Sequence, residues 1–203
     1  MRFATPLSKL FLATAFCLTV VIGLPHMASA AGEQRVALPE PVMTGGMPLM
    51  EALARRMTIR DVDSRAIDLQ NLSNMLWSAW GINRPDGRRT VPTARNKQDV
   101  MVFVAMDKAV YRYEAKGSTL EKVADADHGV FGNAPVTLIY AAVPGDDVGG
   151  LHVGSMYQDV GLYCASVGLG NVVKITGKDA LNDKLKLPAG YKVYAVQSIG
   201  WPK

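Results

Sequence analysis

The segment RRTVPTARNKQ, residues 88–98, and the strands that follow it decide how this sequence is interpreted. Four basic side chains and two amides surround a Pro-Thr-Ala turn in this segment. Two apolar stretches follow, VMVFVAM (100–106) and AVYRYE (109–114), and the dipeptide Asp107-Lys108 separates them. This pattern predicts a β-hairpin. A loop rich in hydrogen-bond donors beside a rigid strand favours an anionic ligand, and the alternative is a solvated basic surface.

Positive charge is concentrated between residues 55 and 98. This region holds nine Lys or Arg and four Asp, a net charge of +5, whereas the whole chain carries +4. A local cluster of positive charge suits a small anion better than a polyanion. Aromatic residues are not interleaved with the basic ones, as binding of single strands would require. We therefore expect no nucleic-acid partner.

The first 30 residues resemble a secretory signal peptide. Arg2 and Lys9 precede an apolar run at residues 10–24, and Ala28-Ser29-Ala30 provides a cleavage site. The run is shorter than the roughly 20 residues that a membrane-spanning helix needs. We therefore expect an exported protein, periplasmic or secreted, with no stable membrane span after cleavage. An uncleaved membrane anchor is the alternative.

The remaining chain is predicted to form a linker, residues 31–46, and one domain, residues 47–203. Cys164 is the only cysteine outside the predicted signal peptide, and its apolar helical surroundings predict a buried, inert thiol. His128 and His152 lie far apart in the sequence and have no metal-ligand spacing. We therefore predict neither a metal site nor a Cys-His catalytic site.

Hydrophobic spacing predicts an α+β domain built on one sheet. Asp68 is predicted to be the N-cap of a helix that begins at Leu69. Residues 125–133 are predicted to form a loop or short helix, and residues 144–150 a mobile turn. The predicted helices span residues 47–56, 69–80, 151–167 and 179–185. The predicted strands span residues 100–106, 109–114, 135–142, 172–175 and 191–199.

Six short motifs stand in a fixed order along most of the predicted domain. They are RRMTIR (55–60), LWSAWGIN (76–83), RTVPTARNKQ (89–98), VYRY (110–113), ASVGLG (165–170) and GWP (200–202). Their order and spacing resemble the nitroreductase superfamily, and within it the small secreted members akin to SagB-type dehydrogenases. The resemblance implies a mostly antiparallel central sheet flanked by helices. It also implies a homodimer formed through long helices, with two FMN molecules that each contact both subunits.

The resemblance also implies three groups of flavin-binding residues. The first group provides the contacts to the phosphate and to the pyrimidine edge: Arg56, Met57, Thr58 and Arg60. The second group forms and supports a turn that reaches the flavin from the other subunit: Pro92, Thr93, Ala94, Asn96 and Gln98. The third group places backbone along the flavin after the strand near Gly170: Lys174, Thr176 and Gly177.

The function that the resemblance implies is FMN-dependent oxidoreduction. Hydride would pass through the flavin to or from a small organic substrate, and no catalytic side chain is expected. NAD(P)H is the family's implied donor but is scarce outside the cytoplasm, so oxidation of a peptide or small molecule with oxygen as acceptor stays open. Family members usually carry a basic residue beyond the last strand that clamps the phosphate; here Lys203 or Lys174 would have to replace it. The alternative is a non-catalytic module of the same fold that binds another small anion.

Overall fold

The structure, a computed structural model, describes residues 1, 34–125, 132–144, 148–175 and 179–203. Apart from Met1, the predicted signal peptide lies outside these ranges, as does most of the loop predicted at residues 125–133. None of the helices within these ranges is long and apolar enough to cross a membrane.

Seven strands form one sheet at the centre of the described chain. Their order in the sheet is β1-β4-β3-β2-β5-β7-β6, and every neighbouring pair is antiparallel. Strand β5 lies inside the sheet, between β2 and β7, and is buried along its whole length. The strands are β1 (Arg35–Ala37), β2 (Val100–Met106), β3 (Ala109–Glu114), β4 (Thr119–Asp125), β5 (Val136–Ala142), β6 (Gly170–Lys174) and β7 (Lys192–Gly200).

The described residues form four α-helices. They are α1 (Leu49–Arg55), α2 (Leu69–Trp80), α3 (Val148–Val167) and α4 (Asp179–Leu185). Helices α2, α3 and α4 pack on the sheet, and α1 packs on α3. Helices α2 and α3 pack on one face, where Leu76 and Met156 are fully buried against Tyr140 of β5. Helix α4 covers the other face, where Leu181 packs with Ile139. Because side chains alternate along a strand, β5 supplies apolar side chains to both layers.

The structure confirms the predicted α+β class and several predicted elements. Helix α2 spans the predicted residues, and the Asp68 carboxylate accepts a hydrogen bond of 2.8 Å from the backbone N–H of Asn71, as an N-cap should. Strands β2 and β3 form the predicted hairpin around Asp107, whose backbone is left-handed with φ of 52°. Cys164 is buried as predicted, and burial raises the pKa of its thiol to about 12.

The N-terminal boundary of the folded part was predicted too late in the chain. Residues 35–37 lie in the predicted linker but form the edge strand β1, in which Val36 is buried and pairs with Leu120 of β4. Strand β4 itself was missed, because TLEKVAD lacks a clear apolar alternation. Helix α3 begins at Val148, inside the predicted turn. The sequence pattern did not show this first turn of the helix, because Gly149 and Gly150 have low helix propensity.

Candidate functional site

The basic turn that follows α1 is held tightly against strand β6. The backbone N–H of Ile59 donates to the carbonyl of Asn171 at 2.9 Å, and Val62 forms a β-bridge with Pro202. Gly170 permits this close approach, because a Cβ added there would lie 2.8 Å from Cγ2 of Ile59. The backbone of the turn is therefore fixed by the sheet, although the Thr58 and Arg60 side chains are exposed.

Arg56 is the predicted phosphate ligand, and its guanidinium has no partner within the described ranges. The aliphatic stem of Arg56 crosses helix α3 at Gly161, where an added Cβ would lie 3.7 Å from its Cγ. The described residues give Arg56, Thr58 and Arg60 no side-chain hydrogen bond or ion pair. By contrast, the neighbouring Arg55 lies 3.9 Å from Glu51. The turn thus holds two unpaired guanidinium groups and a free hydroxyl, which suits a phosphate-bearing ligand.

A buried amide network lies beneath this turn. Gln197 is fully buried, and its Oε1 accepts a hydrogen bond of 2.6 Å from the hydroxyl of Tyr140. Its Nε2 donates to Oδ1 of Asn171 at 2.9 Å and to the carbonyl of Tyr157 at 3.2 Å. The network therefore links β5, β7, β6 and α3 at the point where Ile59 is attached.

The second predicted group forms a compact turn between α2 and β2. Oε1 of Gln98 accepts from Nε of Arg89 at 2.8 Å, and its Nε2 donates to Oδ1 of Asn96 at 3.1 Å. The backbone N–H of Gln98 also donates to Oγ1 of Thr93 at 3.3 Å. Gln98 thus supports the turn with its own polar atoms. Arg95, Asn96 and Gln98 all have positive φ, a strained arrangement for residues other than glycine.

His152 of α3 anchors this turn. Its Nε2 accepts a hydrogen bond of 2.8 Å from the backbone N–H of Ala94, and its Nδ1 lies 3.1 Å from Oδ1 of Asp99. Because a backbone N–H can only donate, Nε2 carries no proton, and the proton on Nδ1 is donated to Asp99. The imidazole is buried, so the turn is fixed to α3 by a neutral histidine of one tautomer.

The two basic turns contact α3 at places that lie far apart. The first packs at Gly161 and the second at His152, nine residues earlier. At about 1.5 Å and 100° per residue, these positions are separated by roughly 14 Å along the axis and by half a turn around it. One subunit therefore does not bring its two groups of predicted ligands together around a single small ligand.

The third predicted group is only partly within the described ranges. Lys174 ends strand β6, is exposed, and has no described ion-pair partner. Thr176 and Gly177 lie outside the described residues. Lys203, the other candidate for a phosphate clamp, pairs with Asp61 at 2.9 Å, and this hydrogen bond raises the pKa of its ammonium. Lys203 therefore already forms an exposed ion pair with a carboxylate.

A shallow apolar groove of about 330 Å³ lies between α1, α2 and α3. Trp77 and Leu49 line it, and the carboxylate of Asp159 lies among them without a described hydrogen-bond donor. Burial raises the pKa of the Asp159 carboxyl from 3.8 to about 6. The exposed side of α1 is also apolar, since Leu49 is 63% and Met50 74% exposed.

The chain belongs to the nitroreductase family. The sequence profile of that family matches residues 53–201. The match covers both basic turns, strands β2 to β7 and helices α2 to α4.

Individual relatives agree with this assignment. A provisionally named nitroreductase of Ralstonia eutropha JMP134 has a crystal structure similar to this chain, with a TM-score of 0.79, 32% identity, and coverage of 84% of this chain and 90% of that one. A provisionally named nitroreductase of Methanocaldococcus jannaschii is 27% identical over 151 residues, 61% of this chain and 76% of the relative. An FMN-dependent nitroreductase of Clostridium difficile R20291 shares the fold, with a TM-score of 0.56, 16% identity, and coverage of 76% and 87%.

Sequence reasoning missed the residues that position the two turns. His152 and Asp99 are 53 positions apart, and Gln197 and Asn171 are 26 apart, so no local spacing connects them. The available signal was chemical, because a histidine or glutamine inside a strongly apolar stretch requires hydrogen-bond partners. That signal marks the residue and does not identify its partner.

We expect His152→Phe to loosen the turn at residues 92–96, because Ala94 loses its acceptor and Asp99 loses its donor. The cost is about 1–3 kcal/mol in free energy of unfolding, and His152→Gln, which keeps an acceptor oxygen, should cost less. Thermal unfolding and deuterium exchange of peptides covering residues 91–98 would measure both effects. Ser155→Ala, on the exposed side of the same helix, is the control. Unchanged exchange in His152→Phe would contradict the anchoring role.

We expect the contribution of Asp159 to the free energy of unfolding to decrease as the pH rises. The folded protein keeps the Asp159 proton up to about pH 6, whereas the unfolded chain releases it near its ordinary pKa of 3.8. The folded state binds more protons in this interval, so stability from this group decreases between about pH 4 and 6. Asp159→Asn should therefore raise the unfolding midpoint at pH 7 but not near pH 4. The exposed Asp183→Asn is the control, and a pH-independent difference for Asp159→Asn would refute this account.

Proposed function

We propose that this protein is an exported FMN-dependent oxidoreductase that transfers hydride between bound flavin and a small organic molecule. The observation that carries the proposal is the unpaired donor set of the first turn, Arg56, Thr58 and Arg60, on a backbone fixed by β6. Membership of the nitroreductase family supports an oxidoreductase, and the similar Clostridium difficile protein is FMN-dependent. The signal-like pattern of residues 1–30 supports export.

The residues present fit the phosphate and ring of FMN. Arg56 would bind the phosphate through its planar guanidinium and Thr58 through its hydroxyl, with the backbone of Met57 between them. Arg60 would lie towards the pyrimidine edge, where a fixed cation stabilises negative charge. The end of β6 at Lys174, with Thr176 and Gly177, would lie along the ring.

When bound, FMN supplies the acceptance and donation of hydride. The chain binds and orients the groups on either side of that chemistry. The sheet fixes the first turn through Ile59, so Arg60 need not reorganise when charge develops nearby. No described side chain at either turn is placed as a general acid or base, since His152 uses both of its ring nitrogens to hold Ala94 and Asp99.

We further propose that the working unit is a homodimer in which each flavin contacts both subunits. The two turns contact opposite sides of α3 in one chain, so a second copy is needed to bring Pro92, Thr93, Ala94 and Asn96 to the flavin held at Arg56. Exposed apolar side chains on and beside α1 are available for association: Leu49, Met50, Leu53 and Met57. A lone subunit would leave both this surface and half of each site uncovered.

One observation favours a second candidate function. Lys203 is paired with Asp61, so the last described residues offer no free cation to clamp a phosphate. A non-catalytic module that keeps the fold and binds a different small anion would not need such a clamp. Such a module would bind an anion at Arg56 without retaining flavin.

We expect the purified protein to keep a visible flavin band, about one per subunit, after FMN is added and excess removed. Arg56→Gln should weaken FMN about tenfold or more, because it removes charge-assisted hydrogen bonds of about 1.5–3 kcal/mol. Arg55→Gln is the matched control, since Arg55 is exposed and paired with Glu51. Flavin absorbance and titration of flavin fluorescence would measure both variants. A protein that stays colourless would exclude the oxidoreductase and leave the binding module.

We expect a mixed dimer to restore flavin binding if each site is shared. Arg56→Gln damages the phosphate side, and Thr93→Glu adds bulk and negative charge to the turn on the other side. Each variant alone should hold little FMN. Two differently tagged variants purified together as a mixed dimer should hold one FMN per dimer, because one site combines the two undamaged halves. Flavin content per dimer, with dimer mass from light scattering, is the measurement; no flavin in the mixed dimer would place each site within one subunit.

A further inference from the structure

A basic cavity, which we name the arginine cavity, lies on the loop between α2 and β2. Its volume is about 460 Å³. The proposed flavin contacts use part of one wall and leave the arginines of the cavity without a function. The lining residues are Arg84, Arg88, Arg89, Val91, Pro92, Thr93, Arg95 and Asn96. None of them is acidic.

Arg89 places a fixed positive charge in the cavity wall. Its Nε donates to Gln98 at 2.8 Å, its Nη1 donates to the carbonyl of Trp80 at 3.1 Å, and its guanidinium lies 4.8 Å from the centre of the Trp80 ring. All of these partners are neutral. The half-buried guanidinium is thus held rigidly by neutral groups. Glu114 acts on it electrostatically, but no described carboxylate forms an ion pair with it, so its field extends into the cavity.

The other arginines leave most of their donors unused. Nη2 of Arg84 donates a hydrogen bond of 2.8 Å to the carbonyl of Arg89, and Nε of Arg88 lies 3.4 Å from a carboxylate oxygen of Asp86. Arg95 makes no hydrogen bond or ion pair with any described residue. Its backbone is left-handed, with φ of 52°. Strained backbone of this kind persists where the surroundings enforce it, and often at binding sites.

We infer that the arginine cavity binds an oxyanion group, a phosphate or carboxylate, of the organic molecule that exchanges hydride with the flavin. Arginine forks match both oxyanions with paired hydrogen bonds. Among the described residues, Arg88 is the only one of the four arginines with an ion-pair partner, Asp86. The cavity has space for more than the oxyanion itself, since small-molecule sites occupy roughly 300–1,000 Å³.

That the bound oxyanion belongs to the flavin's reaction partner rests on the proposed function. The turn with Thr93 and Asn96 forms one wall of the cavity and is also proposed to contact the flavin of the partner subunit. A molecule held by Arg84 and Arg95 would therefore lie beside that flavin. The binding of an anion by the cavity does not depend on the flavin and is tested separately.

The test is calorimetric titration of the purified, FMN-saturated protein with inorganic pyrophosphate and, separately, with succinate. FMN occupies the site at Arg56 and removes it from the measurement. We expect saturable binding that weakens as salt is added. Arg95→Gln should lower the affinity about tenfold, since it removes hydrogen bonds to a charged group and breaks no described contact. Arg84→Gln should have a similar effect.

Arg65→Gln is the matched control, because it removes the same charge from an exposed arginine that pairs with Asp63 outside the cavity. It should change the affinity less than about twofold, as expected for exposed, screened charges. Binding of pyrophosphate alone would support a phosphate-bearing substrate, and binding of succinate alone a carboxylate-bearing one. Binding of neither, or equal losses in Arg95→Gln and Arg65→Gln, would overturn the inference. If the protein retains no flavin, the same titration on Arg56→Gln protein gives an independent answer.

Discussion

The buried amide of Gln197 is the interaction on which the first basic turn depends. It accepts from Tyr140 on β5 and donates to Asn171 on β6 and to the backbone of α3. The carbonyl of the same Asn171 then holds the N–H of Ile59. An unpaired buried polar group costs about 1–3 kcal/mol, so these bonds allow few alternative arrangements of the three elements. The backbone that carries Arg56 and Arg60 is held in place because Ile59, in the same turn, is hydrogen-bonded to Asn171 of this network.

Helix α3 imposes the second constraint, because it separates the two groups of donors. His152 fixes the second turn on one side of the helix, and Gly161 accommodates Arg56 on the other. A helix cannot bring positions half a turn and roughly 14 Å apart into one small site. The proposed homodimer would resolve this separation by sharing each site between two copies, and its interface would also cover the exposed Leu49 and Met50. The same geometry explains why a monomer would be an incomplete version of the proposed enzyme.

The sequence predicted the parts of the fold that local patterns determine. The β2–β3 hairpin follows from two apolar runs, and the start of α2 follows from Asp68, whose carboxylate caps it. Strand β4 was missed because its stability comes from pairing with β3 and β1 and not from its own composition. The site divides in the same way. Basic residues mark the two turns in sequence, whereas the contacts of His152 and Gln197 arise only from tertiary packing.

Whether an arginine has a carboxylate partner helps to distinguish candidate ligand-binding arginines from those on the ordinary surface. Exposed Arg55 and Arg65 lie against carboxylates, and Arg112 contacts two. Surface ion pairs contribute little to stability, so pairing alone does not mark function. What distinguishes Arg56 is that its stem is packed against α3 while its charge has no described partner. Ordering the Arg56 side chain costs conformational entropy, and no described ion pair offsets that cost; the proposed anionic ligand would supply the partner.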